Sequence, residues 1–145
     1  MKTGCSFNLI LCVLQMFVGI TATLTGIGLV SDPSGAKMEA PLTLLENFLF
    51  ADYLIPGLVL LIVIGVGNAL GGIVAFFRQE RFGSTAVFLG SFLVLYILIE
   101  IGIIGLVNFS QHLYFILGVA EVVLGLKLPR LVKTDSNIWV ERNAF

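Results

Sequence analysis

A chain of 145 residues that is 58% hydrophobic and only 12% charged, with a mean hydropathy of +1.06, is not an ordinary soluble domain, which carries about 25% charge. It is not disordered either, because disorder needs low hydrophobicity and high charge. A net charge of −1 excludes a broadly basic nucleic-acid binder, and an integral membrane protein remains.

The first charge-free run covers residues 3–31, 29 in all. A secretory signal has an apolar core of about 7–15 residues and a small-residue cleavage site. This run is longer and no such site follows it, so residues 7–30 read as a retained span. Cys5 follows Gly4 but precedes any apolar region, which removes a lipoprotein reading. Cys5 and Cys12 are not a C-x-x-C pair, and a membrane thiol oxidoreductase is disfavoured.

The loop at residues 31–53 is expected outside. Asp32-Pro33-Ser34-Gly35 is turn chemistry. Pro41 suits a first helical position. Leu42, Leu44, Leu45, Phe48 and Leu49 then form an apolar stripe beside Thr43, Glu46 and Asn47. The stripe predicts a short amphipathic helix, either a structural lid or a cap over a ligand cavity. Asp52 is the expected N-cap of the second span.

Residues 53–77 are free of charge, a run of 25, and predict a span at 54–77. It carries Asn68 and a small-residue face, Gly67-xxx-Gly71-xxx-Ala75. Such a face permits close helix approach, within the chain or in an oligomer. Charge-free runs of 18 residues (82–99) and 20 residues (101–120) are separated by Glu100 alone. Ile97, Leu98, Ile99 and Ile101 flank Glu100, so a turn there is excluded. The polar group Asn108, Ser110, Gln111 and His112 is the better turn. Spans at 83–107 and 109–128 follow.

The expected fold is therefore all-α: a four-transmembrane-helix bundle over residues 1–128 with a short amphipathic helix in the outer loop, and a cytoplasmic tail at 129–145. With the N-terminus inside, Lys2, Arg78, Arg81, Lys127, Arg130, Lys133 and Arg142 lie inside, and only Lys37 lies outside. That is the positive-inside bias, and it makes both termini cytoplasmic.

Asp32-Pro33-Ser34-Gly35, the Leu-rich loop and Asp52-Tyr53-Leu54-Ile55-Pro56-Gly57 resemble uncharacterised small four-helix integral membrane proteins of bacteria. The likeness continues into Gln111, Tyr114-Phe115 and Gly118 and covers most of residues 26–126. The resemblance implies a fold and a bacterial cytoplasmic membrane. It implies no activity.

Ionisable groups inside a membrane are costly and are functional candidates by default. Glu100 lies about 25 Å from the inner end of its helix, in the outer third. His112 is at a similar level, and Tyr96 is one turn from Glu100 on the same face. Asp52 and Tyr53 lie at the outer rim. These five are the candidate ligand-binding residues. Glu121 is nine residues below His112, about 13 Å deeper, and points to the opposite face of its helix. It shares its depth with Gln15 and Asn68, which gives a second, inner polar layer. Either layer can instead be interhelical glue, with a protonated Glu hydrogen-bonded to Asn, Gln or Ser.

One His and two Cys make no standard zinc site, and no P-loop is present. Neither cofactor nor metal is expected. The expected partners are the membrane and a lipid or lipophilic small molecule, with no nucleic acid. A homo-oligomer or a larger membrane complex would use the glycine face. Three functions stay open. One is binding or transport of a lipophilic or cationic small molecule in an outer-half cavity around Glu100. Another is an enzyme that uses Glu100 as general acid on a lipid or isoprenoid, with His112 or Asp52 as partner. The third is a structural or accessory subunit.

Overall fold

The structure, a computed structural model, describes residues 2–38, 52–77, 82–106 and 108–142. It contains four long helices: α1 (Lys2–Ser31), α2 (Leu54–Phe77), α3 (Phe82–Ile104) and α4 (Phe109–Arg142). A short 3-10 turn, Ala36–Met38, follows α1. Among the described residues there is no strand. Each helix holds a stretch long and apolar enough to cross a membrane: Phe7–Ser31, Leu54–Phe77, Gly83–Ile104 and Phe109–Lys127. The shortest, 19 residues, rises about 28 Å, close to the thickness of a bilayer's hydrocarbon core.

The residue distribution is the reverse of a soluble bundle. Phe77, Phe109, Phe88 and Leu24 are exposed, whereas Gln15, Asn68 and Glu121 have no exposed surface at all. In water that pattern would waste the hydrophobic driving force. In lipid it is favourable, because apolar side chains lose nothing by facing acyl chains and polar groups are sequestered between helices.

α1 packs chiefly on α2 and α3 on α4. α1 also lies against α4, and α2 touches α3 more lightly. Close approach depends on glycine. A Cβ on Gly65 of α2 would lie 2.5 Å from Thr23 Oγ1 of α1, and a Cβ on Gly90 of α3 would lie 2.8 Å from the Gly118 carbonyl oxygen of α4. The Gly67–Gly71–Ala75 face is turned inward: Ala75 is fully buried, and a Cβ on Gly71 would meet Leu89 and Gln15. This small-residue face is thus used within the chain.

Several boundaries differ from the sequence expectation. α3 was expected to reach residue 107 but stops at Ile104. Gly105 follows with φ 77°, and its N–H donates to the Ile101 carbonyl at 2.9 Å. This is a left-handed glycine cap, which ends a helix by satisfying its last carbonyls. The stretch of α4 apolar enough to cross a membrane, Phe109–Lys127, matches the expected span, but the helix itself continues through Pro129 to Arg142. Proline removes one backbone donor, and no glycine follows it in the helix to complete a stop. Asp52 is not the N-cap itself; Tyr53 holds that position. The Asp52 carboxylate nevertheless accepts the Leu54 N–H at 3.0 Å. The amphipathic helix expected over residues 42–49 lies outside the described residues.

The middle of α2 departs from α-helical geometry: Leu60–Val66 is π-helical. Its β-branched residues Ile62, Val63, Ile64 and Val66 crowd an α-helix, and Gly65 weakens it further. The wider turn coincides with the close contact of Gly65 on Thr23.

Candidate functional site

The helix halves nearest the α1–α2 connection line a cavity of about 490 Å³. Its wall is mainly aliphatic, with Leu29 from α1, Val59 and Leu60 from α2, and Leu93 and Ile97 from α3. Into this wall α3 inserts Glu100 and Tyr96, α4 inserts Gln111 and Tyr114, and the segment before α2 contributes Tyr53. The placement follows from helix phase. Ala86, Leu89, Leu93 and Ile97 form the buried stripe of α3, and Glu100 continues it by three residues. On α4 the inward positions are Gln111, Gly118, Glu121 and Gly125, again at spacings of three, four and seven.

Gln111 organises the polar end. Its Nε2 donates to Glu100 Oε1 at 3.4 Å and to the Gly105 carbonyl at 3.1 Å. Its Oε1 accepts the Asn108 N–H at 3.2 Å. One side chain thus ties together the glycine cap of α3, the start of α4 and the cavity carboxylate. Tyr96 donates its hydroxyl to the Pro56 carbonyl at 3.3 Å, which links α3 to the first turn of α2. Tyr53 is buried, 6% exposed, and its N–H donates to the Pro33 carbonyl at 3.0 Å, closing the base of the loop between α1 and α2. Burial raises the Tyr53 phenol above its usual range, and the negative charge of Glu100 acts in the same direction.

The loop on the α1 side is held by a compact turn. Asp32 accepts from the Ser34 hydroxyl at 2.6 Å and from the Lys37 N–H at 3.1 Å. The Ser34 hydrogen bond, with the Lys37 N–H second, lowers the Asp32 carboxyl below its ordinary value. This turn is partly exposed, with Gly35 buried, and is structural.

The outer layer expected from sequence is therefore rearranged. Glu100, Tyr96 and Tyr53 share the cavity. His112 does not line it; the ring is exposed, with Nδ1 3.4 Å from the Asn108 carbonyl. Position 111, not 112, falls on the inward stripe of α4. Asp52 accepts the Leu54 N–H and does not line the cavity either. Gln111 takes the place expected for His112. Gln111 lies in phase with the buried Gly118, Glu121 and Gly125. In the inner layer Gln15, Asn68 and Glu121 are all fully buried and lie apart from the cavity lining. Asn8, a polar residue within the first apolar run, is buried one heptad before Gln15 and donates to the Ala75 carbonyl at 3.1 Å.

Chemically, the cavity offers one carboxylate (Glu100), two amides (Asn108 and Gln111), two aliphatic hydroxyls (Thr25 and Ser110) and three phenol rings inside an aliphatic shell. Among the described residues no Lys or Arg lines it, and no three His, Cys, Asp or Glu side chains converge as a metal site would need. The chain matches no family model, no curated protein and no solved structure.

Proposed function

We propose that the chain is an integral protein of a bacterial cytoplasmic membrane, with both termini inside, that binds or transports a lipophilic or cationic small molecule in the outer cavity. The observation that carries this reading is the position of Glu100: a carboxylate on the wall of a 490 Å³ cavity that is otherwise mainly apolar and holds no protein cation among the described residues. In a low-dielectric space a single positive charge on a ligand is the natural complement of such a group. The aliphatic wall would bury the rest of the molecule, and the tyrosine rings add cation–π attraction. Entry from the lipid phase is supported by Ile55 of α2 and Ile99 of α3. Both line the cavity, yet they are 50% and 49% exposed. The cavity thus reaches the outer surface where α2 and α3 touch least.

The enzyme alternative needs a proton-transfer partner for Glu100. His112 and Asp52 lie outside the cavity lining, so no observation favours it over binding.

The test is a thermal-shift titration of the purified chain with a lipophilic organic cation such as tetraphenylphosphonium. Saturable stabilisation of the wild type that Glu100→Gln removes, at an unchanged melting temperature without ligand, supports the reading. Equal stabilisation of both proteins defeats it. For topology, a probe at Lys37 should be labelled from the outer side only.

A further inference from the structure

The inner polar layer carries a second site. Gln15 of α1, Asn68 of α2 and Glu121 of α4 have no exposed surface. Their level is common to all four helices. A Cβ on Gly71 would lie 3.0 Å from Gln15 Oε1 and 2.8 Å from Leu89, and a Cβ on the next residue of α3, Gly90, would lie 2.7 Å from the Glu121 Cβ. Asn68 sits one turn from Gly71 on the buried face of α2. The Asn68 amide is oriented, because its Nδ2 donates to the Ile64 carbonyl at 2.9 Å and its Oδ1 points elsewhere.

These side chains do not satisfy one another. Asn68 Oδ1, Gln15 Oε1 and both Glu121 oxygens are buried and receive no hydrogen bond, and Gln15 Nε2 gives none. Asn8 Oδ1, one heptad inward on α1, is a further unpaired acceptor. Within Glu121, Gln15 and Asn68 the unpaired atoms are four oxygens and one amide nitrogen. A buried unpaired polar group costs about 1–3 kcal/mol, so interhelical glue alone would not leave so many. Glue would pair these groups with one another, and here they are unpaired. What complements a cluster of oxygens carrying a single carboxylate is one positive charge.

We propose that Glu121, Gln15 and Asn68 form a buried site for one monovalent cation, either sodium or a proton carried with water. A divalent ion is disfavoured by charge: one carboxylate would leave a net positive charge in a low-dielectric interior, and calcium or magnesium sites use more oxygen ligands or more carboxylates. The described side chains around Glu121 supply no competing charge. α1 offers Cys12, whose Sγ donates to the Gly72 carbonyl at 3.2 Å. α2 has no titratable residue. Tyr96 and Glu100 of α3 lie farther out at the other cavity, and on α4 Lys127 is exposed. Asn8 extends the row of acceptors from this layer toward the inner end of α1. The site stands independently of the outer cavity, which Glu121 does not line.

The test uses the full chain in detergent or nanodiscs. Melting is followed in sodium chloride against choline chloride at constant ionic strength, together with direct binding of radioactive sodium. The carboxyl C=O stretch is followed by infrared spectroscopy across a pH series. If sodium is the occupant, binding saturates at one ion per chain, sodium raises the melting temperature, and Glu121→Gln weakens binding by about tenfold to a hundredfold. If a proton is the occupant, sodium has no specific effect, and the wild type shows a protonated-carboxyl band that titrates and is absent in Glu121→Gln. Should Glu121→Gln fail to fold, Gln15→Met and Asn68→Leu report instead, by weaker sodium binding or a shifted carboxyl band. A wild-type chain with neither a sodium effect nor a titrating carboxyl band lost with Glu121 overturns the proposal.

Discussion

Gln111 of α4 reaches back across the α3–α4 turn and donates to Glu100 Oε1 of α3 at 3.4 Å, while the same amide nitrogen donates to the Gly105 carbonyl at 3.1 Å. The contact couples the cap of one helix to the charge of the cavity. Substituting Gln111 by Leu removes both donations and the acceptor for the Asn108 N–H. The expected outcome is a loss of about 1–3 kcal/mol of stability, measured as a lower melting temperature. Binding of an organic cation should survive, because the carboxylate remains. The opposite pattern is expected for Glu100→Gln, with stability kept and binding lost.

Packing of α3 on α4 gives a second prediction. A Cβ on Gly90 would lie within 2.8 Å of the Gly118 carbonyl and 2.7 Å of the Glu121 Cβ, and backbone cannot yield as a side-chain tip can. Gly90→Ala should destabilise the bundle by about 1–3 kcal/mol. Gly102, on the same helix, has nothing within 4 Å of its Cβ position. Gly102→Ala should be neutral or stabilise by about 0.5–1 kcal/mol, the usual gain for alanine over glycine in a helix. Equal melting temperatures for the two variants would contradict the helix pairing.

The Tyr96 hydroxyl is a link between α3 and α2, through its donation to the Pro56 carbonyl at 3.3 Å. Tyr96→Phe keeps the ring in the cavity wall and deletes the link. The expected cost is about 0.5–1.5 kcal/mol by thermal unfolding, with cation affinity nearly unchanged. A large loss of affinity would move the hydroxyl itself into the binding contact.

At the outer loop, pH should act through Asp32. Its carboxyl is lowered below the ordinary 3.8 by the Ser34 and Lys37 hydrogen bonds. A depressed carboxyl stabilises the turn above that ordinary value, and the contribution is lost as pH falls through the lower, folded one. The Lys37 amide resonance should therefore titrate with a midpoint below 3.8, and the titration should vanish in Asp32→Asn. A midpoint at or above the ordinary value would mean that the turn does not hold in solution.

Run lengths and charge positions were enough to find the four spans, because a bilayer of fixed thickness sets the length of any apolar helix that crosses it. The same reasoning picked out Glu100 and Glu121, since an ionisable residue in such a run stands out whatever the packing. It also separated their depths, because rise per residue is constant. Facing was another matter. Gln111 and His112 are adjacent polar residues at one turn, and only the rotation of α4 against α3, set by the Gly90–Gly118 approach, turns the first inward and the second outward. The π-helical stretch of α2 and the burial of Asn8 on α1 likewise accompany contacts between α1 and α2, from residues some 40 to 70 positions apart. Local sequence dictates which helices form and how deep each residue sits. Which side of a helix meets a neighbour is decided by fitting four surfaces together at once, and that is where the cavity acquired its amide and lost its imidazole.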